Sequence, residues 1–214
     1  MKTVALADDH VLLRKGLAGL INSFNNYNVI FEADNGKELI DYLRNNKLPD
    51  IVLLDITMPV MNGFEAAEIL KNQYPQINTL ALTMLNDDES VIKMIRNGVL
   101  GYLLKDTEPL EFKNALDIVS QRKYYLNEMI TGNALSDVYV DEKNKTSQKV
   151  QLSDNEKKFL QLISSEKTHK EIAEIMTLSI RTIDGYRDSL FQKLNIKTKV
   201  GLVIYSIKNG LVTI

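Results

Sequence analysis

Five times within the first 123 residues, a short run of β-branched and apolar residues is followed by a longer stretch with helical periodicity. This is the rhythm of βα units, and successive units build a parallel sheet because parallel neighbours need a crossover, usually a helix. The candidate strands are 3–7, 28–32, 51–54, 79–83 and 101–104, with helical patterns near 11–23, 36–46, 63–73, 88–97 and 108–122. Ile51-Val52-Leu53-Leu54 shows no polar alternation, as expected of a strand covered by helices on both faces. Residues 1–123 are thus expected to form a doubly wound α/β domain with five parallel strands.

Past residue 123 the rhythm stops. Residues 141–149 contain no large apolar side chain, so 124–149 reads as a linker. From 150 to 214 no strand alternation returns, and four helical segments fall near 153–165, 168–176, 179–194 and 199–208, giving an all-α second domain. A chain of 214 residues has room for both.

Charge is divided along the same line. From Gln151 onward ten Lys/Arg face seven Asp/Glu, a net +3, which leaves −5 on residues 1–150 of a chain whose total is −2. An acidic front suits a metal-binding module and a mildly basic back suits a polyanion-binding one. The absence of cysteine removes disulfides and thiolate metal sites. The apolar run at the amino terminus is too short for a signal sequence or a membrane span, so the cytoplasm is the expected compartment.

The acidic residues of the front domain lie at strand ends. Asp8 and Asp9 follow the first candidate strand and Asp55 follows the third, which a doubly wound sheet sets beside it at the edge where ligands bind. Crowded carboxylates need a cation, and an all-oxygen set favours Mg²⁺ over zinc. Thr83 and Lys105 end two further strands, adding a hydroxyl and an ammonium. Together they outline a phosphoryl site, with Asp55 as nucleophile, open to solvent, Lys105 neutralising charge and Thr83 donating to the bound group. Met58-Pro59 and Gly63 read as turn chemistry, and His10 as part of a helix start.

Asp8-Asp9, Asp55-Ile56-Thr57-Met58-Pro59 with Gly63, Thr83, and Gly101-Tyr102-Leu103-Leu104-Lys105-Asp106 resemble the receiver domain of two-component response regulators, in order and spacing, over residues 1 to about 123. The resemblance implies a flavodoxin-like fold and phosphoryl transfer from a sensor histidine kinase to Asp55. It also implies metal ligation by Asp9, Asp55 and the Thr57 carbonyl, with Asp8 acting through water. Tyr102 resembles the aromatic switch residue; core packing alone also accounts for a tyrosine there.

In the back domain, Ser153 with Glu156 is a capping-box signature. A short helix, the Thr177-Leu178-Ser179 turn, and a longer helix with Ile183, Tyr186, Leu190 and Leu194 on its inner face make a helix-turn-helix. This inner stripe leaves Arg181, Asp184, Arg187 and Asp188 facing outward. The segment 150–214 resembles the LuxR-type DNA-binding domain, which places the whole chain with the NarL/FixJ-like response regulators. The resemblance implies transcription control by homodimers on double-stranded DNA, with Thr182 at a phosphate-contacting position and the last helix, through Val200, Val203, Ile204 and Ile207, as a dimerisation element. Lys170, Arg181, Arg187 and Lys193 are the candidate basic contacts, and His169 a further phosphate contact. Asp184 either reads a cytosine or, like Asp188, belongs to a solvated face or pairs with Arg181 and Arg187.

Two other classes compete. A phosphohydrolase of the haloacid-dehalogenase type also uses an aspartyl nucleophile, but it needs a second Asp two residues later, where this chain has Thr57. A protein-binding helical domain is the other alternative. The expected role is that of a regulator accepting phosphate, not an enzyme beyond slow loss of its own phosphoryl group.

Overall fold

In a computed structural model of the chain, Lys2–Ala7 (β1), Tyr27–Ala33 (β2), Ile51–Leu54 (β3), Asn78–Thr83 (β4) and Gly101–Leu104 (β5) form strands, each within one residue of expectation. A sixth strand, Tyr125–Leu126 (β6), carries the sheet past residue 123 and corrects the count of five. Two residues are too few to display a period of two, so the composition of this edge reads as linker. The structure describes residues 1–85, 87–126, 150–165 and 167–212. The expected linker therefore lies outside the described residues from 127 onward. The chain divides into two compact units, Met1–Leu126 and Asn127–Ile214.

The strand order is β2-β1-β3-β4-β5-β6 and every pairing is parallel. All residues of β3 and β4 are buried, which accounts for the unbroken apolar run of β3. Five helices make the crossovers: Val11–Ser23 (α1), Gly36–Asn45 (α2), Gly63–Gln73 (α3), Asp88–Arg96 (α4) and Pro109–Val119 (α5). Contacts run α2 to α3 to α4, while Phe24 after α1 meets Phe112 of α5 with ring centroids 6.5 Å apart. Local chemistry starts these helices: the Asn35, Asn62 and Asp87 side chains accept from Glu38, Glu65 and Ser90 N–H groups, and Pro109 opens α5. Because β1 lies between β2 and β3, the chain turns one way after β1 and the other way after β2, and the crevice at this reversal opens at the carboxyl ends of the strands.

The second unit contains Asp154–Ile163 (α6), His169–Met176 (α7), Ile180–Lys193 (α8) and Lys199–Lys208 (α9). Ser153, Thr168, Ser179 and Thr198 cap them through side-chain oxygens, with full capping boxes at Ser153/Glu156 and Thr168/Glu171. Phe159, Leu160, Ile163, Ile172, Ala173, Ile183, Leu190, Ile196 and Leu202 form one core. Thr177, in the left-handed region at φ 57°, turns the chain from α7 into α8.

Candidate functional site

The sheet register delivers the acidic cluster. Ala7 pairs with Leu54 and Thr83 with Leu104, so the next residues along β1, β3 and β5, namely Asp8, Asp55 and Lys105, emerge together with Thr83 at one edge. The Asp55 N–H donates to the Ala7 carbonyl at 2.9 Å, extending the ladder by one bond into the site. Ligand atoms of Asp8, Asp9, His10 and Asp55 all lie within 4.8 Å of one another.

Lys105 closes the cluster. Its Nζ stands 2.8 Å from Asp55 Oδ2 and 2.8 Å from Asp8 Oδ2. The Asp55 side chain is only 2% exposed and the Lys105 side chain 5%, which corrects the expectation of an open Asp55. The physical reason is the surplus of negative charge, which draws the ammonium over the carboxylates. Burial lifts the Asp55 carboxyl above the usual carboxylate range against the pull of Lys105, and the neighbouring Asp8 charge adds to the rise. Burial disfavours the Lys105 ammonium, but its hydrogen bonds to Asp55 and Asp8 outweigh that and hold it charged. One ammonium serving two buried carboxylates, with Asp9 beside them, leaves an oxygen-rich site of net negative charge. This donor set fits a hard divalent cation such as Mg²⁺.

Further contacts orient the carboxylates. Asp55 Oδ1 accepts from Ile56 N–H at 2.7 Å and from Thr57 N–H at 3.4 Å. Asp8 Oδ1 accepts from His10 N–H at 2.8 Å, and the His10 ring Nδ1 lies 3.1 Å from Asp8 and 2.9 Å from Asp9. His10 precedes α1 as expected, yet its ring also joins the cluster, a role its position as a helix start conceals. Arg14 is a residue that sequence reasoning missed: buried on α1, it donates to the Asp8 carbonyl and pairs with Asp34 and, at 3.3 Å, with Glu32. Nothing in the local pattern separates it from a solvated helical arginine. Gly63 proves to be more than turn chemistry, because a Cβ there would stand 2.7 Å from Ile56 Cα and closer still to the Asp55 carbonyl oxygen.

Thr83 is buried, and its hydroxyl accepts from Leu85 N–H at 3.3 Å. Tyr102 lies inward, 1% exposed, and donates its hydroxyl to the Leu85 carbonyl at 2.9 Å. Both residues thus grip the same β4–α4 turn. Burial raises the Tyr102 hydroxyl far above its usual range, with the Asp87 and Asp55 charges adding to the effect.

In the helical unit, Ile183 and Leu190 are buried on α8 with Tyr186 and Leu194 packed against the core, as the stripe requires. Arg181 and Thr182 are exposed, and the Thr182 hydroxyl lies 2.8 Å from Ser179 Oγ. Lys170 lines an open groove of about 740 Å³ with Thr177, Ser179 and Ile180. Asp184 Oδ1 lies 3.0 Å from His169 Nδ1 and 3.7 Å from Arg187, and Arg187 also pairs with Asp188 at 2.8 Å. The two acids are therefore in side-chain pairs, with Arg187 but not with Arg181. Lys193 is bound to Glu156 at 2.9 Å. Val200, Val203 and Ile204 are buried.

The response regulator receiver domain family matches residues 4–117, and the luxR family of bacterial regulatory proteins matches residues 150–206. Among individual relatives, the chain is 31% identical over 208 residues to the uncharacterized transcriptional regulatory protein YhcZ of Bacillus subtilis, covering 97% of this chain and 96% of that one. It is 29% identical to the oxygen regulatory protein NreC of Staphylococcus aureus, covering 97% and 98%. A crystal structure of a LuxR-family two-component response regulator from an Aurantimonas species is 27% identical with a TM-score of 0.57, covering 61% of this chain and 92% of that one. With a receiver in front, a LuxR-type helix-turn-helix behind and relatives built the same way from end to end, the chain belongs to the NarL/FixJ-like two-component response regulators, which regulate transcription under the control of phosphorylation.

Proposed function

We propose that Asp55 accepts the phosphoryl group. The carrying observation is the Lys105 ammonium at 2.8 Å from both Asp55 and Asp8 at the strand-end edge. A carboxylate oxygen of Asp55 attacks the phosphorus of a phosphohistidine on the partner kinase; the new P–O bond forms as the P–N bond breaks, and its electron pair leaves on the imidazole nitrogen. Lys105, with a flexible stem and three donors, exchanges its Asp55 contact for a phosphoryl oxygen, which opens the buried carboxylate. Thr83 turns its hydroxyl from Leu85 N–H to the same group, and Tyr102, sharing that turn, carries the change onward. Asp9, Asp55 and the Thr57 carbonyl would hold Mg²⁺, with Asp8 acting through water; the ion would supply charge neutralisation of the phosphoryl oxygens.

The helical unit then binds double-stranded DNA through α8, with Arg181, Thr182 and Arg187 as contacts and Lys170 on α7 as a further one; Lys193 is engaged with Glu156 instead. The active form is a homodimer paired through α9. Phosphorylation favours pairing by changing the relative stability of two receiver states. The protein acts in the cytoplasm as a phosphoacceptor without an external substrate to turn over. Among the described residues, no helix is long and apolar enough to cross a membrane.

The test is labelling of the full chain by a small phosphodonor with Mg²⁺. Asp55→Asn should abolish labelling and phosphorylation-enhanced duplex binding; labelling that persists in this variant rejects Asp55.

A further inference from the structure

An aspartate on the outer face of a DNA-reading helix is a liability unless it has a task, because phosphates repel it. Asp184 has two cationic or ionisable neighbours from different places: His169 on α7, 15 residues earlier, and Arg187 one turn on in α8. Their side chains remain 30% and 34% exposed, and Asp184 41%, so the group sits at the surface rather than in the core.

We infer that Asp184 is a positioning residue for DNA binding: its carboxylate holds the His169 ring and the Arg187 guanidinium so that both offer N–H donors to phosphates, and it reads no base. This rests on the DNA-binding reading above. In a helix-turn-helix the first helix crosses the nucleic-acid backbone while the second enters the major groove. His169 is the first residue of α7, just after the Thr168 cap, where the helix end favours anions. With Nδ1 directed at Asp184, Nε2 is left as the outer ring nitrogen, and it has no hydrogen-bond partner among the described residues. A ring held between a carboxylate and an approaching phosphate can donate at both nitrogens. Arg187 has a fork of five donors, so pairing with Asp184 and Asp188 fixes its plane and leaves N–H groups over. The acid thus converts two rotatable donor groups into an oriented pair.

The experiment measures binding of the full chain to fluorescent duplexes by anisotropy, across salt concentration. One duplex contains only A·T pairs and the other is rich in G·C. Asp184→Asn should weaken both about three- to tenfold, the loss expected for one hydrogen-bonded contact. The plot of log affinity against log salt should become shallower by about one phosphate's worth, roughly 0.9. In a His169→Gln background most of that effect should vanish, a coupling that a double-mutant cycle measures directly. Melting should be unchanged, since the group is half exposed.

Tighter binding of both duplexes by Asp184→Asn would overturn the proposal in favour of a merely repulsive acid. Loss confined to the G·C-rich duplex would overturn it in favour of cytosine reading. Additive effects with His169→Gln would break the proposed link between the two. If the unsubstituted chain fails to bind either duplex at low salt, the DNA-binding reading itself fails and takes this assignment with it.

Discussion

Lys193 Nζ lies 2.9 and 3.0 Å from the two carboxylate oxygens of Glu156, a residue 37 positions earlier. The same carboxylate accepts from Ser153 N–H at 2.7 Å to complete the capping box, so the start of α6 is tied to the end of α8. Burial pushes the Glu156 carboxyl up, but the Ser153 N–H and the Lys193 ammonium outweigh it and hold the group below the usual range. Glu156→Gln should cost about 1–3 kcal/mol at neutral pH. A folded-state pKa below the unfolded one stabilises at pH above the unfolded value and loses that gain as pH falls through the folded one. Urea unfolding of the two proteins should therefore differ at neutral pH and converge in acid. Lys193→Met should destabilise similarly while leaving the salt slope of duplex binding unchanged.

Gly63, first residue of α3, packs directly on the Asp55–Ile56 backbone and donates its N–H to the Ile56 carbonyl at 2.8 Å. A methyl group has no room, so Gly63→Ala should cost about 1–3 kcal/mol and displace the phosphoacceptor. Unfolding measurements should show the loss of stability, and phosphodonor labelling a slower rate even where the fold persists.

Val60 occupies the left-handed region at φ 66° and is 82% exposed, a strained setting for a β-branched side chain that packs on little. Val60→Gly removes the Cβ clash and should raise stability by about 1 kcal/mol, net of the added freedom of the unfolded chain. Thermal melting would register this as a higher midpoint; a lower one would show that the valine stabilises its turn.

Gly185 sits within α8 with nothing near the place a Cβ would occupy. Gly185→Ala should stabilise the helical unit by about 0.5–1 kcal/mol from helix propensity alone. Calorimetry would measure the gain. Equal affinity for duplexes would show that the glycine is not needed for close approach of DNA.

Much of the architecture was legible in the chain because it is written in local patterns. The apolar runs locate β1 to β5, helical periodicity and caps such as Ser153 and Ser179 locate the helices, and strand-end positions of Asp8, Asp55, Thr83 and Lys105 bring them to one edge. β6 escaped because two residues carry no periodicity.

Tertiary structure alone decided which charges meet. That Lys105 covers Asp55, that Arg14 is buried beneath Asp8, that Asp184 pairs with His169 and that Lys193 serves Glu156 all depend on how separate elements are brought together in space. Periodicity reports which face of an element turns inward, whereas ion pairing falls off with separation in space and depends on burial. For that reason Gly63 reads as an ordinary turn until the Asp55 backbone is seen against it.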